Sequence, residues 1–278
     1  MKDVNIAFIG GGNMATSLIG GLLADHVSPA RLCVADRDAA QRERLAAQFG
    51  VQTREDNAAC AGSADVIVLA VKPQVLHEVC KDLIDIAQRN QPLVVSVAAG
   101  VRTDSLRRWL GGASQAIVRA MPNTPALLQS GATGLYASAD VSAQQRDLAE
   151  AIMRATGLTL WVDDEAQMDT VTALSGSGPA YFFRIMEGLE QAAIEQGLPA
   201  QSARLLTLQT ALGAARMALE SSEPIATLRK RVTSPGGTTE QGLKAMEAGD
   251  IDALLDNVLK AARDRSRELA KLLDEAGS

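Results

Sequence analysis

Histidine is nearly absent from this chain. The only two, His26 and His77, lie far apart with no metal-ligand spacing around them, so no metal site is expected. Cysteine is scarce as well. Cys33, Cys60 and Cys80 are odd in number and contain no Cys-x-x-Cys pair, which excludes a disulfide framework and fits buried, reduced thiols in a cytosol. Long apolar runs are missing: nowhere do about 18 apolar residues follow one another, so no membrane-spanning helix is expected. Lys2 ahead of the apolar Ile6–Ile9 has the outline of a secretory leader, but Asp3 and the glycines that follow argue against one, and a cytoplasmic location is expected. Blocks of one charge are also missing. The net charge of −6 is spread along the chain, which leaves no basic stripe to follow a nucleic-acid backbone.

What the chain does have is length and apolar content. At 278 residues and 47% apolar it can fill two cores, and two domains are expected. Up to Val162, short β-branched runs alternate with helix-period segments. Val4–Ile9, Leu32–Ala35, Val66–Val71 and Leu93–Val97 are nearly continuous apolar runs, as strands covered on both faces should be. Ala116–Ala120, Gly134–Ala137 and Leu158–Val162 read as further strands, and Asp38–Phe49 and Val75–Arg89 as amphipathic helices. The expected fold is α/β: a doubly wound, mostly parallel sheet over residues 1–162. Beyond it the strand signals stop. Residues 164–174, 179–197, 200–221, 238–247 and 250–275 carry helical spacing, so 163–278 reads as all-α. The last of these helices has a long apolar stripe, Leu254, Leu255, Val258, Leu259, Ala262, Leu269, Leu272 and Leu273, which predicts a homodimer through the helices.

The first apolar run ends in Gly10-Gly-Gly-Asn-Met-Ala15, a Gly-x-Gly-x-x-Ala turn that opens a helix. Gly10 makes the tight turn, Gly12 lets a pyrophosphate approach the backbone, and Asn13 and Met14 begin the helix whose free N–H groups attract it. This is the Rossmann-like dinucleotide fingerprint. The next strand ends in Asp36-Arg37. The aspartate is of the type that accepts a ribose 2′-OH and the arginine of the type that takes a 2′-phosphate, so the pair leaves NAD and NADP both open. Ala70-Val-Lys-Pro-Gln74 closes a strand at the sheet's carboxyl edge, with Pro73 starting a helix and Ala70, Val71 and Lys72 facing a cofactor. Ser96-Val-Ala-Ala-Gly100 ends another in small side chains, Ala98 among them, as a flat nicotinamide ring would require.

Late in the chain, Ser234-Pro-Gly-Gly-Thr-Thr239 enters a helix. Two glycines there remove the Cβ atoms that would block a small anion and leave several amide donors free, whereas a plain helix start with Ser234 as cap needs only one glycine.

Four motifs now stand in order after the glycine turn: Ala70-Val-Lys-Pro-Gln74, Met121-Pro-Asn-Thr-Pro125, Leu174-Ser-Gly-Ser-Gly-Pro-Ala-Tyr181 and Ser234-Pro-Gly-Gly-Thr-Thr239. Together they resemble pyrroline-5-carboxylate reductase, across the whole chain. The resemblance implies hydride transfer from NADPH, with NADH as the alternative, to the imine of Δ1-pyrroline-5-carboxylate, giving L-proline in the last step of proline biosynthesis. It implies an interlocked helical dimerisation domain with the active site at the dimer interface, and leaves assembly of dimers into larger rings open. It assigns Gly237, Thr238 and Thr239 to the substrate carboxylate, Val232 to the pocket wall and Glu165 to substrate contact. Asp163-Asp164-Glu165 reads equally as a solvated helix start. Asn57 is implied to touch the adenosine ribose, though it reads as well as an N-cap. Gln74 closes the cofactor turn, Asn123 and Ser175 line the nicotinamide side, Arg231 reaches a neighbouring subunit's cofactor, and Gly176, Gly178 and Pro179 shape a helix break. No histidine stands in a catalytic setting, so the expected proton source is the hydroxyl of Thr239. A β-hydroxyacid dehydrogenase would carry Gly-x-x-x-Asn-Lys, which is absent, and a silent dinucleotide sensor has no use for the Gly-Gly-Thr-Thr loop.

Overall fold

A computed structural model describes residues 3–112 and 114–277. Lys2, which bears on the leader reading, lies outside the described residues. By internal contacts the chain forms two compact units: one made of residues 1–177 and 261–278, the other of 178–260. The break returns through the last helix, between Lys260 and Ala261, because the end of that helix packs with the first unit.

The first unit runs β1 (Ile6–Ile9), α1 (Asn13–Ala24), β2 (Leu32–Ala35), α2 (Ala39–Phe49), β3 (Gln52–Arg54), α3 (Asn57–Ala61), β4 (Val66–Leu69), α4 (Pro73–Asn90), β5 (Leu93–Ser96), α5 (Thr103–Trp109), β6 (Ile117–Met121), β7 (Gly131–Ala137), α6 (Ala143–Arg154), β8 (Gly157–Trp161) and α7 (Gln167–Val171). The eight strands form one sheet in the order β3-β2-β1-β4-β5-β6-β7-β8. Neighbours are parallel except β6 and β7, which run antiparallel. Every residue of β1, β4 and β5 is buried, the physical reason their sequences are apolar throughout except for Ser96 at the end of β5. Strand β3, Gln-Thr-Arg, is absent from the sequence expectation: as a half-exposed edge strand it has no apolar run to show.

Two apolar clusters cover the two faces. Phe8 joins Leu18, Ile19 and Leu22 of α1 and Ile152 and Met153 of α6 on one side. Ile67 and Leu69 join Leu76, Val79 and Leu83 of α4 on the other. Full burial of each such side chain contributes roughly 1.5–3 kcal/mol. Helix α4 starts at Pro73, whose missing N–H costs nothing at that position. Helix α6 opens with a reciprocal capping box between Ser142 and Gln145. The expected helix over 164–174 is instead α7 followed by one π-helical turn, Thr172–Gly176, of the kind frequent at functional sites. Asp56, not Asn57, caps α3, its carboxylate accepting from Ala59 N.

The second unit contains α8 (Gly178–Glu195), α9 (Ala200–Glu220), α10 (Ile225–Arg231), α11 (Thr238–Ala248) and the start of α12 (Ile251–Ala276). Helix α10 is missing from the sequence expectation because two turns behind a proline are too short to establish a period. Within α8 and α9 only Gly178 and Ala203 are buried, while Phe183 is 66% exposed and Leu219 80%. The closing half of α12 is pinned to the first unit. Ser266 Oγ donates to Asp169 Oδ1 at 2.8 Å, Arg102 and Arg267 flank the same buried carboxylate, and Trp109 Nε1 donates to the carbonyl of Gly277 at 3.1 Å.

Candidate active site

The sheet order reverses at β1 and β4, and the chain leaving β1 turns there. Gly10 adopts φ +97°, and a Cβ on it would lie 2.8 Å from the Ala70 carbonyl oxygen, so only glycine fits. Gly12 differs. Its φ of −67° is ordinary, and a Cβ on it would meet no atom of the chain within 4 Å. Neither backbone strain nor packing asks for glycine at that position, which is what a bound pyrophosphate pressed against the backbone would require. The first intrahelical bond of α1 is Thr16 N to Gly12 O, which leaves the amides of Asn13, Met14 and Ala15 pointing out of the helix end.

A cleft of about 320 Å³ lies beside this turn, and Gly10, Asp36, Arg37, Asn57, Val71 and Gln74 all line it. Six expected cofactor residues thus come together. Val75 and Glu78 line it too and are missing from the sequence reading; Glu78 follows Gln74 by one helical turn, the spacing that signals a shared face. The Glu78 carboxyl is held below the usual carboxylate range, first by a hydrogen bond from Lys81 Nζ at 2.8 Å. Asp36 does not spend its carboxylate on the open cleft alone: Oδ2 accepts from Gly11 N at 2.8 Å and Oδ1 from Asp38 N at 2.9 Å. Lys72 caps α4 in extended backbone ahead of Pro73, Ala70 N donates to Ile9 O at 2.8 Å, and Ala98 is buried just beyond β5.

Asn123 and Ser175 also meet, away from that cleft. Asn123 Nδ2 donates to the Ser175 carbonyl at 3.2 Å and to its Oγ at 3.3 Å, Ser175 Oγ donates to Ala132 O at 3.3 Å, and Ala132 N donates to Asn123 Oδ1 at 2.9 Å. The ring of bonds fastens the Met-Pro-Asn-Thr-Pro turn to the π-helical turn.

Glu165 is held by α5 and β6. Oε1 accepts from Thr103 N and from Arg119 Nη1, each at 2.8 Å, and Oε2 accepts from Thr103 Oγ1 at 2.9 Å. Its side chain is 15% exposed. It therefore caps α5 and neutralises a buried arginine, and the reading as a solvated helix start is corrected, since α7 begins only at Gln167.

In the second unit, Gly236 takes φ +71° and Gly237, not Ser234, caps α11. Gly237 N is bonded to Ser234 O and Gly236 N to Glu240 Oε2 at 3.1 Å. The first intrahelical bond is Gln241 N to Gly237 O, so the amides of Thr238, Thr239 and Glu240 point out of the helix end without intrahelical acceptors. The Thr239 side chain is exposed beside them, and Val232 is exposed at the end of α10. Arg231 Nη2 donates to Glu223 Oε1 at 2.7 Å.

A fingerprint turn whose Gly12 neither strain nor packing requires, at the switch point of a doubly wound sheet, defines a dinucleotide-binding protein. Residues 5–100 match the family model "NADP oxidoreductase coenzyme F420-dependent", and residues 165–269 match "Pyrroline-5-carboxylate reductase dimerisation". The chain belongs to the pyrroline-5-carboxylate reductase family. It is 51% identical to the pyrroline-5-carboxylate reductase of Pseudomonas aeruginosa over 275 residues, 99% of this chain and 100% of that one. The solved pyrroline-5-carboxylate reductase of Coxiella burnetii superposes with a TM-score of 0.93 at 50% identity, covering 96% of this chain and 98% of that one. The Plasmodium falciparum pyrroline carboxylate reductase, solved with NADP bound, superposes with a TM-score of 0.83 at 27% identity, covering 97% and 99%. Among the described residues no helix is long and apolar enough to cross a membrane.

Proposed function

We propose that the chain reduces the imine of Δ1-pyrroline-5-carboxylate to L-proline, the last step of proline biosynthesis, with NADPH as the preferred reductant. The observation that carries this reading is the triplet of outward amides at Thr238, Thr239 and Glu240, a seat for a small carboxylate in a chain that also holds a dinucleotide turn. Reduced nicotinamide, when bound, supplies the hydride. When bound, the pyrophosphate would be held on the backbone amides of Gly12, Asn13 and Met14, with Gly10 making the turn, Ala70, Val71, Lys72, Pro73 and Gln74 along one wall and Asn57 at the ribose. Asn123, Ser175 and Ala98 border the nicotinamide. Arg37, open to the cleft while Asp36 is bonded to Gly11 and Asp38, favours a 2′-phosphate, and the NADP named for the Plasmodium relative supports the same choice.

At the substrate, the amides of Thr238, Thr239 and Glu240, behind the Gly237 cap, fix the carboxylate, and Val232 borders the ring. The hydroxyl of Thr239 donates a hydrogen bond to the ring nitrogen and conveys its proton as the imine carbon accepts hydride. Thr239→Val removes that donor while leaving the backbone amides; kcat falls by about 10²-fold with KM little changed. An unaltered kcat removes Thr239 from the chemistry.

Residues 1–162 form the cofactor domain and 163–278 the substrate-binding and dimerisation domain in this reading, in the cytoplasm. The exposed Phe182, Phe183, Leu189 and Leu212 support a homodimer, as does the family-model match over 165–269. Light scattering at micromolar concentration should give twice the chain mass or a larger multiple; a monomer refutes the dimer. The test of the activity is consumption of NADPH and NADH with the pyrroline acid. A higher kcat/KM with NADPH is expected, and no turnover with either cofactor rejects the proposal.

A further inference from the structure

The cleft beside the glycine turn contains an acid with a free acceptor. Two segments wall it: Asp36 and Arg37 after β2, and Val71, Val75, Glu78 and Val79 from the turn after β4 and from α4. Val75 is apolar yet 49% exposed, and it precedes the buried Val79 by one helical turn, so α4 offers the cleft an uncovered apolar surface. Glu78 stands between those two valines in sequence. Its Oε1 accepts from Lys81 Nζ at 2.8 Å, with His77 Nδ1 3.8 Å away, while no hydrogen bond among the described residues reaches Oε2. Asp36 is the other acid of the cleft, and Gly11 and Asp38 engage both its oxygens.

Taking the cleft as the seat of the dinucleotide's adenosine half, as proposed above, we infer that Glu78 selects the base: Oε2 accepts a hydrogen bond from the 6-amino group of adenine, and Val75 and the Arg37 guanidinium cover the ring. A guanidinium plane and an apolar side chain are both surfaces on which a flat base packs well. The amino group then meets the one carboxylate oxygen of the cleft that the chain itself leaves free.

The selectivity follows from donors and acceptors. The hydrogen bond from Lys81 holds the Glu78 carboxyl below the usual carboxylate range, so at neutral pH it is ionised and can only accept. Adenine presents N–H donors at C6. Hypoxanthine presents an oxygen there, which sets a second acceptor against the carboxylate and leaves Oε2 unpaired. The Glu78 side chain is 66% exposed, so water screens the contact and the discrimination belongs at the low end for a charged hydrogen bond, about 10-fold.

The test titrates the full chain with NADPH and with its hypoxanthine analogue, follows nicotinamide fluorescence and compares the two Kd values. NADPH should bind about 10-fold more tightly. Glu78→Gln, whose amide can accept from an amino group or donate to an oxo group, should bring the ratio to about one. The ratio is the quantity to read, because loss of a negative charge changes the attraction for the phosphates of both nucleotides alike. A ratio near one in the unaltered protein, or an undiminished ratio in Glu78→Gln, would overturn the inference while NADPH binding itself upholds the dinucleotide reading. Failure of both nucleotides to bind overturns that reading and the inference with it. The ratio in the unaltered protein decides even where the glutamine variant does not fold.

Discussion

Gly12→Val leaves the fold standing and removes NADPH binding. The new side chain projects into space that no atom of the chain occupies, and the backbone there already suits a β-branched residue. Loss of a favourable N-cap costs about 1 kcal/mol, a small shift in Tm. The valine does, however, cover the amides of Asn13, Met14 and Ala15. Charge-assisted hydrogen bonds contribute about 1.5–3 kcal/mol each, so losing two raises the NADPH Kd by on the order of 10³-fold. Gly10→Val is the contrast. Its Cβ would lie 2.8 Å from the Ala70 carbonyl oxygen at φ +97°, so the fold itself should fail. Titration of NADPH fluorescence beside a thermal melt separates the two outcomes. Tight binding by Gly12→Val would overturn the assignment of this turn.

Arg119→Met should lower stability by about 3–5 kcal/mol and Tm by on the order of 10 °C. Arg119 and Glu165 are 7% and 15% exposed, and among the described residues the arginine is the only cation paired with that carboxylate. Its Nε–H has no acceptor among the described residues, so the contact through Nη1 is its main compensation for burial. With methionine in place, Glu165 keeps Thr103 but remains a buried uncompensated charge. The companion variant, Glu165→Gln, decides between the two roles considered for this residue. A structural pin predicts a lower Tm with KM for the pyrroline acid unchanged; a substrate contact predicts the reverse.

Much of the site was legible because its chemistry is local. Gly10 and Gly12, Pro73 after Lys72, and Gly236 ahead of Thr238 act through turns and helix ends completed within a few residues, and such signals survive in one dimension. Adjacent glycines suggested the amide seat, and the structure adds that Gly236 is the one held at positive φ while Gly237 is the cap. Where reading failed, the deciding partner was distant. Glu165 looks like one acid of a solvated run until Thr103 and Arg119 surround it. Strand β3 and helix α10 are too short, and β3 too polar, to carry a period.

The sequence by itself determined the alternation of apolar strands and amphipathic helices, the glycine turns and the all-helical second half, since each depends on side-chain period or on backbone freedom at single residues. Only the tertiary structure decided the strand order, the antiparallel β7 and the return of α12 to the first unit. Those are contacts between segments remote along the chain, and they are selected by which apolar faces and buried charges can be satisfied at once.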